Sequence, residues 1–320
     1  MTVETPKPGD GGSNASDAQR WDAAPSETMA ALAGAAQRVI ERLALSPLAP
    51  GLHIVATPIG NLADITLRAL SVLARADIIY CEDTRHSIRL LQHYALNRPL
   101  APYHEHNAEH ERPRIIERLQ RGQVVALISD AGTPLISDPG YKLVQAAREA
   151  GHGVWSLPGP SAPIAALAIA GLPTDRFTFE GFLPAKSAAR RNRLEASASI
   201  PGTLVFFESP QRLAESLRDM AAILGARAAA VARELTKLHE EVRSGTLAQL
   251  ADWANSAPVK GEIVILVGPA GKVPVDDALI QASLEQALTS LSVRDAAKQV
   301  AESLGAPRSR VYQLALAVKR

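Results

Sequence analysis

Residues 124–140 read VVALISDAGTPLISDPG. The apolar run Val124–Ile128 has the length and composition of a buried strand. It stops at Ser129, Asp130, Ala131, Gly132, Thr133 and Pro134, a polar turn. Gly132 lets backbone come close to a bound molecule, Pro134 stiffens the path, and Asp130 and Thr133 place an acceptor and a hydroxyl at the mouth of the turn. Open α/β sheets bind ligands at such strand ends. Taken alone, a loop that merely needs Gly and Pro to turn explains the string equally well.

Neighbouring loops of the same kind add weight to the first reading. Leu52–Ala56 reads as a strand, followed by a turn with Pro58 and Gly60 and a helix through Leu67, Leu70 and Leu73, capped near Asp64 or Thr66. Val154 and Trp155 lead into Pro158, Gly159, Pro160, Ser161 and Ala162 before a helix from Ile164 to Ala170. A further strand, Asp77–Cys81, ends at the polar cluster Glu82, Asp83, Thr84, Arg85, His86 and Ser87. Tyr103, His104, Glu105, His106 and Asn107 precede another helix, and we read them as polar lining of a substrate cleft, with a solvated loop as the plain alternative. Strand, loop and helix alternate, so the expected class is α/β, with these loops converging on one face.

Composition narrows the function. A chain of 320 residues with 47% apolar content is long enough for two or three domains. A net charge of +1 gives no global basic field, so any nucleic-acid contact is local. The single cysteine, Cys81, excludes an intrachain disulfide framework and a Cys-based zinc site, in keeping with a reducing cytoplasm. No run approaches a membrane span, and the first 26 residues have the composition of a disordered segment and no basic start or apolar centre. Ser26 then caps a helix with Met29, Leu32, Ala36, Val39, Ile40 and Leu43 at helical spacing, before Pro47 and Pro50.

Neither a dinucleotide fingerprint nor a phosphate-binding loop occurs in these turns. His106 and His110 are spaced i, i+4, but the string HNAEH lacks the HExxH order, and no metal is expected.

A second α/β domain begins near Gly171, with strands over Phe177 to Phe182, Thr203 to Phe207, Ala228 to Ala232 and Ile263 to Val267. Lys186, Arg190, Arg191 and Arg193 cluster at the start of its first helix. Cations are mildly unfavourable at a helix N-terminus, so a phosphate-contacting loop is favoured over a solvated helix start. Toward the end, Ser292 and Asp295 open a helix closed by Gly305, and Pro307 to Leu316 forms the next. The pair looks like a helix-turn-helix, with Arg308, Ser309, Arg310 and Lys319 as phosphate contacts; a packing or dimer module is the equal alternative. The expected domains are 1–50 (an extension with a helix), 51–170, 171–270 and 271–320.

The strings VATPIGNLADITLRAL, CEDTRHS, YHEHN, LISDAGTPLISDPGY, LPGPSA, DRFTFEGFLPAK, FFESPQR, ARELTKLHEE and GEIVILVG occur in that order. In them the chain resembles the small-subunit ribosomal RNA methyltransferases of type I, within the tetrapyrrole methylase superfamily, from about Leu52 to Gly268 and more loosely beyond. The resemblance implies two α/β domains enclosing S-adenosylmethionine, a cytoplasmic homodimer, and 2′-O-methylation of one cytidine in the decoding region of 16S ribosomal RNA. It places the donor at Pro58, Gly60, Asp130, Ala131, Gly132, Thr133, Pro134, Pro158, Gly159, Pro160, Ser161, Ala162, Phe182 and Leu183. Arg212 matches a family position on the substrate side, whereas Gln211 stands where typical members carry His.

Methyl transfer from a sulfonium is an in-line displacement, so the protein's task is to position the hydroxyl and favour its alkoxide character. Lys237 and Glu234, with Glu82, Asp83 and Arg85, are the candidates for that work. A surface ion-pair set is the plain alternative for Arg233, Glu234 and Glu240. Two other functions compete: a C-methyltransferase of corrinoid or porphyrin precursors, which would not need the Lys186–Arg193 cations, and a catalytically silent RNA-binding protein.

Overall fold

The computed structural model describes residues 26–256, 258–270 and 276–318; the expectations for residues 1–25 and for Lys319 lie outside the described residues. The chain forms two compact units. The first holds the described residues up to Thr57 together with Leu62–Gly159, and the second holds Pro58–Asn61 and the described residues from Pro160 onward.

The first unit opens with α1 (Glu27–Leu45), whose cap is as the sequence predicts, with Ser26 Oγ accepting from the Met29 N–H. None of its residues is buried, and its C-terminal end is fastened by Arg75, which donates to the Leu43 and Ser46 carbonyls at 2.8 Å each. Then follow β1 (Gly51–Val55), α2 (Leu67–Arg75), β2 (Ile78–Cys81), α3 (Thr84–His93), β3 (Leu100–Pro102), α4 (Ala108–Gln120), β4 (Val124–Ile128), α5 (Tyr141–Glu149) and β5 (Val154–Leu157). Thr66 caps α2 through its hydroxyl.

All pairings in this sheet are parallel, in the order β3-β2-β4-β1-β5. Successive strand residues point to opposite faces. Val55, Ile79 and Ile128 pack on Val72 and Leu73 of α2 and Leu91 of α3, whereas Ile54, Tyr80 and Leu127 pack on Ile115 of α4 and Leu143 of α5. Both faces are covered, which is why the strands read as continuous apolar runs. The helix that follows β4 lies on one face, and those that follow its neighbours β1 and β2 lie on the other. The loop after β4 therefore sits at a topological switch point, the place where such sheets open a crevice.

The second unit holds α6 (Ala162–Ile169), β6 (Phe177–Phe182), α7 (Ser187–Ser197), β7 (Thr203–Glu208), α8 (Leu213–Leu224), β8 (Ala228–Arg233), β9 (Glu241–Thr246), α9 (Leu247–Ser256), β10 (Ile263–Val267), α10 (Asp277–Ala287), α11 (Val293–Leu304) and α12 (Arg308–Val318). Its sheet runs β6-β7-β10-β8-β9, with β6 and β7 parallel and the other pairs antiparallel. One face packs Phe206, Val231 and Ile265 against Leu194, Leu217 and Leu250 of α7, α8 and α9. The other packs Val205, Ala230 and Val264 against Ala166 and Leu167 of α6.

The last three helices gather their own core from Ile280, Leu284, Ala296, Val300, Val311 and Ala315. Ser292 accepts from the Asp295 N–H and donates to its carboxylate, and Gly305 ends α11 in the left-handed region, as the sequence predicts. Among the described residues no helix is long and apolar enough to cross a membrane.

Candidate functional site

In the first unit the loops after β1 and β4 are stitched together. The Thr57 N–H donates to the Gly132 carbonyl at 2.9 Å, and the Gly132 N–H returns to the Thr57 carbonyl at 3.0 Å. Thr57 Oγ1 donates to the Ser129 carbonyl at 3.1 Å, and Ser129 Oγ to the Gly132 carbonyl at 3.1 Å. Gly132 has φ +82°, which an L side chain resists. Its glycine thus serves the bridge to Thr57, a structural use beyond the close approach to a ligand expected of it.

The same loop carries Leu135 at φ +74° and Ser137 at φ +64°, conformations that cost free energy in non-glycine residues and persist only where surroundings enforce them. The loop after β5 approaches equally closely: a β-carbon at Gly159 would lie 3.0 Å from that of Ala56.

A second tie links the loops after β2 and β4, where the Asp83 N–H donates to Asp130 Oδ1 at 3.0 Å. Glu82, Ser129, Pro134, Asp138 and Tyr103 line a small recess beside it. Burial, reinforced by the negative charges of Asp130 and Asp83, raises the Glu82 carboxyl above its ordinary range. Asp138 is pushed up to about 6, by burial first and then by the charge of Glu82.

Asp83 behaves oppositely: side-chain hydrogen bonding from Arg85, then the Arg85 backbone N–H, hold it down to about 2. It caps α3 and clasps Arg85 at 2.7 Å, so that pair is a helix-start clasp. Asp138 was not among the residues singled out from sequence. The repeated Ser-Asp of ISDAGTPLISDPG was the available signal, since both aspartates come to one strand end.

His104, His106 and Asn107 follow β3. Asn107 is committed to its own loop, accepting from the His104 N–H at 2.8 Å and donating to the Pro102 carbonyl at 2.9 Å. Each end of its amide thus holds the loop and keeps one further hydrogen-bonding position. His106 is exposed, and its ring lies 6.0 Å from that of His104.

In the second unit, Lys237 stands in a loop after β8 with Glu234 at φ +51° and Thr236 at φ +64°. Its Nζ donates to Glu234 Oε1 at 2.9 Å and Glu262 Oε2 at 3.2 Å. Burial pulls the ammonium down, but these carboxylates outweigh it and hold the pKa above the ordinary lysine value. Proton abstraction by a neutral Lys237 amine is thereby disfavoured. Glu234 is lowered chiefly by the hydrogen bond from Lys237, and its Oε1 also accepts the Glu262 N–H.

Pro58–Asn61 pack on this loop: the Asn61 N–H donates to Thr236 Oγ1 at 3.1 Å, and a β-carbon at Gly60 would lie 2.5 Å from Lys237 Cγ. Gly261, at φ +92°, leaves room for the Glu234 carboxyl in the same way.

One further expectation is corrected here. Arg190 is 2% exposed, and its Nε donates to Asp219 Oδ2 at 2.7 Å, so it is an internal ion pair that cannot reach a phosphate. The Leu183 side chain lies in the core at 3% exposure, and its carbonyl accepts from Arg212 at 2.6 Å, so its side chain is not the group a donor would meet. Arg212 braces the β6–α7 loop through Nη2, which donates to that carbonyl, to the Pro184 carbonyl at 3.3 Å and to the buried Glu208 at 3.4 Å. Phe182, by contrast, is 59% exposed beside the Phe207 ring. Lys186, Arg191 and Arg193 are also exposed, and Ser161 caps α6 without a side-chain hydrogen bond.

Two units with strand-end loops of this kind match a known class. The family model for tetrapyrrole (corrin/porphyrin) methylases covers residues 51–251, and the chain belongs to that family of methyltransferases. A second model, described as the RsmI C-terminal HTH domain, covers residues 274–319.

Within the family the chain is similar to ribosomal RNA small subunit methyltransferase I. It is 54% identical to the protein of that name from Mesorhizobium japonicum, over 85% of this chain and 94% of the relative. The Pseudomonas aeruginosa relative is 51% identical, over 83% and 96%, and that of Escherichia coli O157:H7 is 48% identical, over 83% and 94%.

Solved structures share the fold at low identity. A cobalt precorrin-4 methyltransferase superposes with TM-score 0.53 at 18% identity, over 68% of this chain and 94% of that one. A diphthine synthase gives 0.55 at 17%, over 68% and 89%.

Proposed function

We infer that this chain is a ribosomal RNA methyltransferase that uses S-adenosylmethionine to methylate the ribose 2′-hydroxyl of a cytidine in the decoding region of 16S RNA. The observation that carries the reading is the joint match of the methylase region and the C-terminal helical domain to relatives so named, at 54% identity over 94% of the relative's length. Corrinoid methylation is supported only by distant likeness of fold.

The residues of the first unit suit the donor. S-adenosylmethionine supplies a methyl group on a positively charged sulfonium. Glu82, Asp130 and Asp138 gather carboxylates at the switch point, a field that favours a cation. The tied loops Thr57, Asp130–Pro134 and Pro158–Gly159 offer preformed backbone groups beside them. Lys237, held charged by Glu234 and Glu262, is the group proposed to stabilise negative charge growing on the acceptor oxygen.

Tritiated-methyl transfer to small subunits from a strain lacking the modification, followed by mapping of the labelled nucleotide, tests the reading. Label at one cytidine ribose is the expected result. Label in a tetrapyrrole, or none, overturns it.

A further inference from the structure

The start of α7 was read from sequence as one block of four cations, but the fold sorts them. Arg190 turns inward. Arg191 and Arg193 keep 53% and 54% of their side chains exposed, although each is ion-paired. What distinguishes these pairs is that the carboxylates lie beneath the surface: Asp219 is 5% exposed, at 2.7 Å from Arg191, and Glu180 is 3% exposed, at 2.6 Å from Arg193.

An ordinary surface pair presents both signs to solvent and cancels. Here the negative members are covered and the guanidiniums form the outer layer. Burial by itself would raise the Asp219 carboxyl, but hydrogen bonds from Arg191, Arg190 and Ser187 bring it below its ordinary value, so it stays ionised under its arginines. Arg191 donates to Asp219 through Nε, Arg193 meets Glu180 as an ion pair through Nη2, and each guanidinium has further N–H donors to offer. Lys186, exposed at the N-cap, adds a third charge. Glu195 on α7 and Glu215 on α8 are the exposed carboxylates nearby, and Glu215 reaches only the buried Arg190, at 3.7 Å.

The helix face between the two arginines carries Ala188, Ala189, Asn192 and Ala196, with Glu195 one turn on from Arg191 at its border, all exposed. Arg191 and Arg193 project to either side of the buried Arg190–Leu194 seam, so they flank a low surface that a strand of nucleic acid can approach closely.

We propose that this face of α7 is a docking surface for the phosphate backbone of the RNA substrate, in which Arg191 and Arg193 are aimed by the buried Asp219 and Glu180 and Lys186 completes the charge. The proposal rests on the reading of the substrate as RNA. Planar guanidiniums fixed from behind give up less freedom on gripping a phosphate than free side chains do, which separates this surface from a merely solvated one.

The test uses two pairs of substitutions in the full chain. Lys186→Gln with Arg191→Gln leaves Asp219 bonded to Arg190 and Ser187. Glu180→Gln with Arg193→Gln removes both members of a pair, so no buried charge is stranded. The combined variant is expected to raise KM for small subunits at least about tenfold, with kcat and donor affinity within about twofold of wild type. It should also flatten the salt dependence of binding to a 16S RNA fragment by about 2 in log–log slope, from about 0.7 per lost contact.

An unchanged KM and slope overturn the proposal, as does a raised KM with an unchanged slope. Loss of self-association with RNA binding intact would likewise overturn it, and make the face an interface between copies. If the wild type methylates no ribosomal RNA, the functional reading fails, and the RNA-fragment slope still decides this surface. Should the second pair unfold, the first alone is expected to flatten the slope by about 1.4.

Discussion

Gly60 and Lys237 are packed so closely that no side chain fits between them: a β-carbon on Gly60 would sit 2.5 Å from Lys237 Cγ and 2.8 Å from the Leu235 carbonyl. The contact explains why a glycine read as a donor contact belongs with a loop so much later in the chain. Gly60→Ala must push the lysine stem or the backbone aside. Overpacking of this kind costs about 1–3 kcal/mol, and we expect a folded protein with slowed methyl transfer. Thermal unfolding and single-turnover kinetics measured together check this; a full rate at reduced stability would detach Gly60 from the chemistry.

Lys237→Met keeps most of the stem and removes the charge. The expected outcome is single-turnover transfer at least about tenfold slower, or roughly 1.4 kcal/mol of transition-state stabilisation, with donor and RNA affinities near normal. Because its carboxylates hold Lys237 above the ordinary lysine value, the wild-type rate should show no titration of this group near neutral pH. A normal rate in the variant would return Lys237 to an ion-pair role.

Arg190→Met separates the internal arginine from the outward-facing ones. It strands the buried Asp219 with Arg191 and Ser187 only, and breaking such a pair costs about 3–5 kcal/mol. Denaturant unfolding should show that loss, while RNA affinity of the remaining folded protein, measured at low temperature, stays within about twofold. A selective loss of RNA binding at full stability would show that Arg190 reaches the substrate after all.

Asp138 gives a pH signature. Its carboxyl is raised from 3.8 to about 6 in the folded protein, so the unfolded chain releases this proton more readily. Stability contributed by the group is intact below about 3.8 and is lost as pH rises through about 6. The displacement sets a ceiling near 3 kcal/mol, and partial exposure brings the expectation to roughly 1–2 kcal/mol. Asp138→Asn should therefore be more stable than wild type at pH 7.5, with the gain fading toward pH 4. A gain that is flat with pH would mean Asp138 titrates normally.

The strands buried on both faces were legible because continuous apolar runs such as Val124–Ile128 and Ile263–Val267 have few other uses. The expectations missed β9, since EVRSGT is an edge strand with no apolar run, and β3, which is three residues ending in Pro102. Side-chain roles were harder. Nothing local marks Arg190 as internal, because Asp219 lies on the next helix and only packing of α7 on α8 brings them together. Gly132 was legible as a position needing close approach, yet the near neighbour is Thr57 of the same unit. Asp138 gains its environment from the loop that folds back from Ser129 to Gly140, a path no periodicity describes.

The sheet of the second unit ends in two unlike borders. On one side β6 shifts register between Phe179 and Gly181, and on the other β9 carries Glu241 and Arg243, with Arg233 clasping Glu241 at 2.6 Å. A newly arriving strand from another molecule needs a straight, uncharged row of backbone groups to zip against. One border is kinked and the other bristles with charge, so this sheet resists growing by strand addition, a safeguard against aggregation during synthesis and refolding.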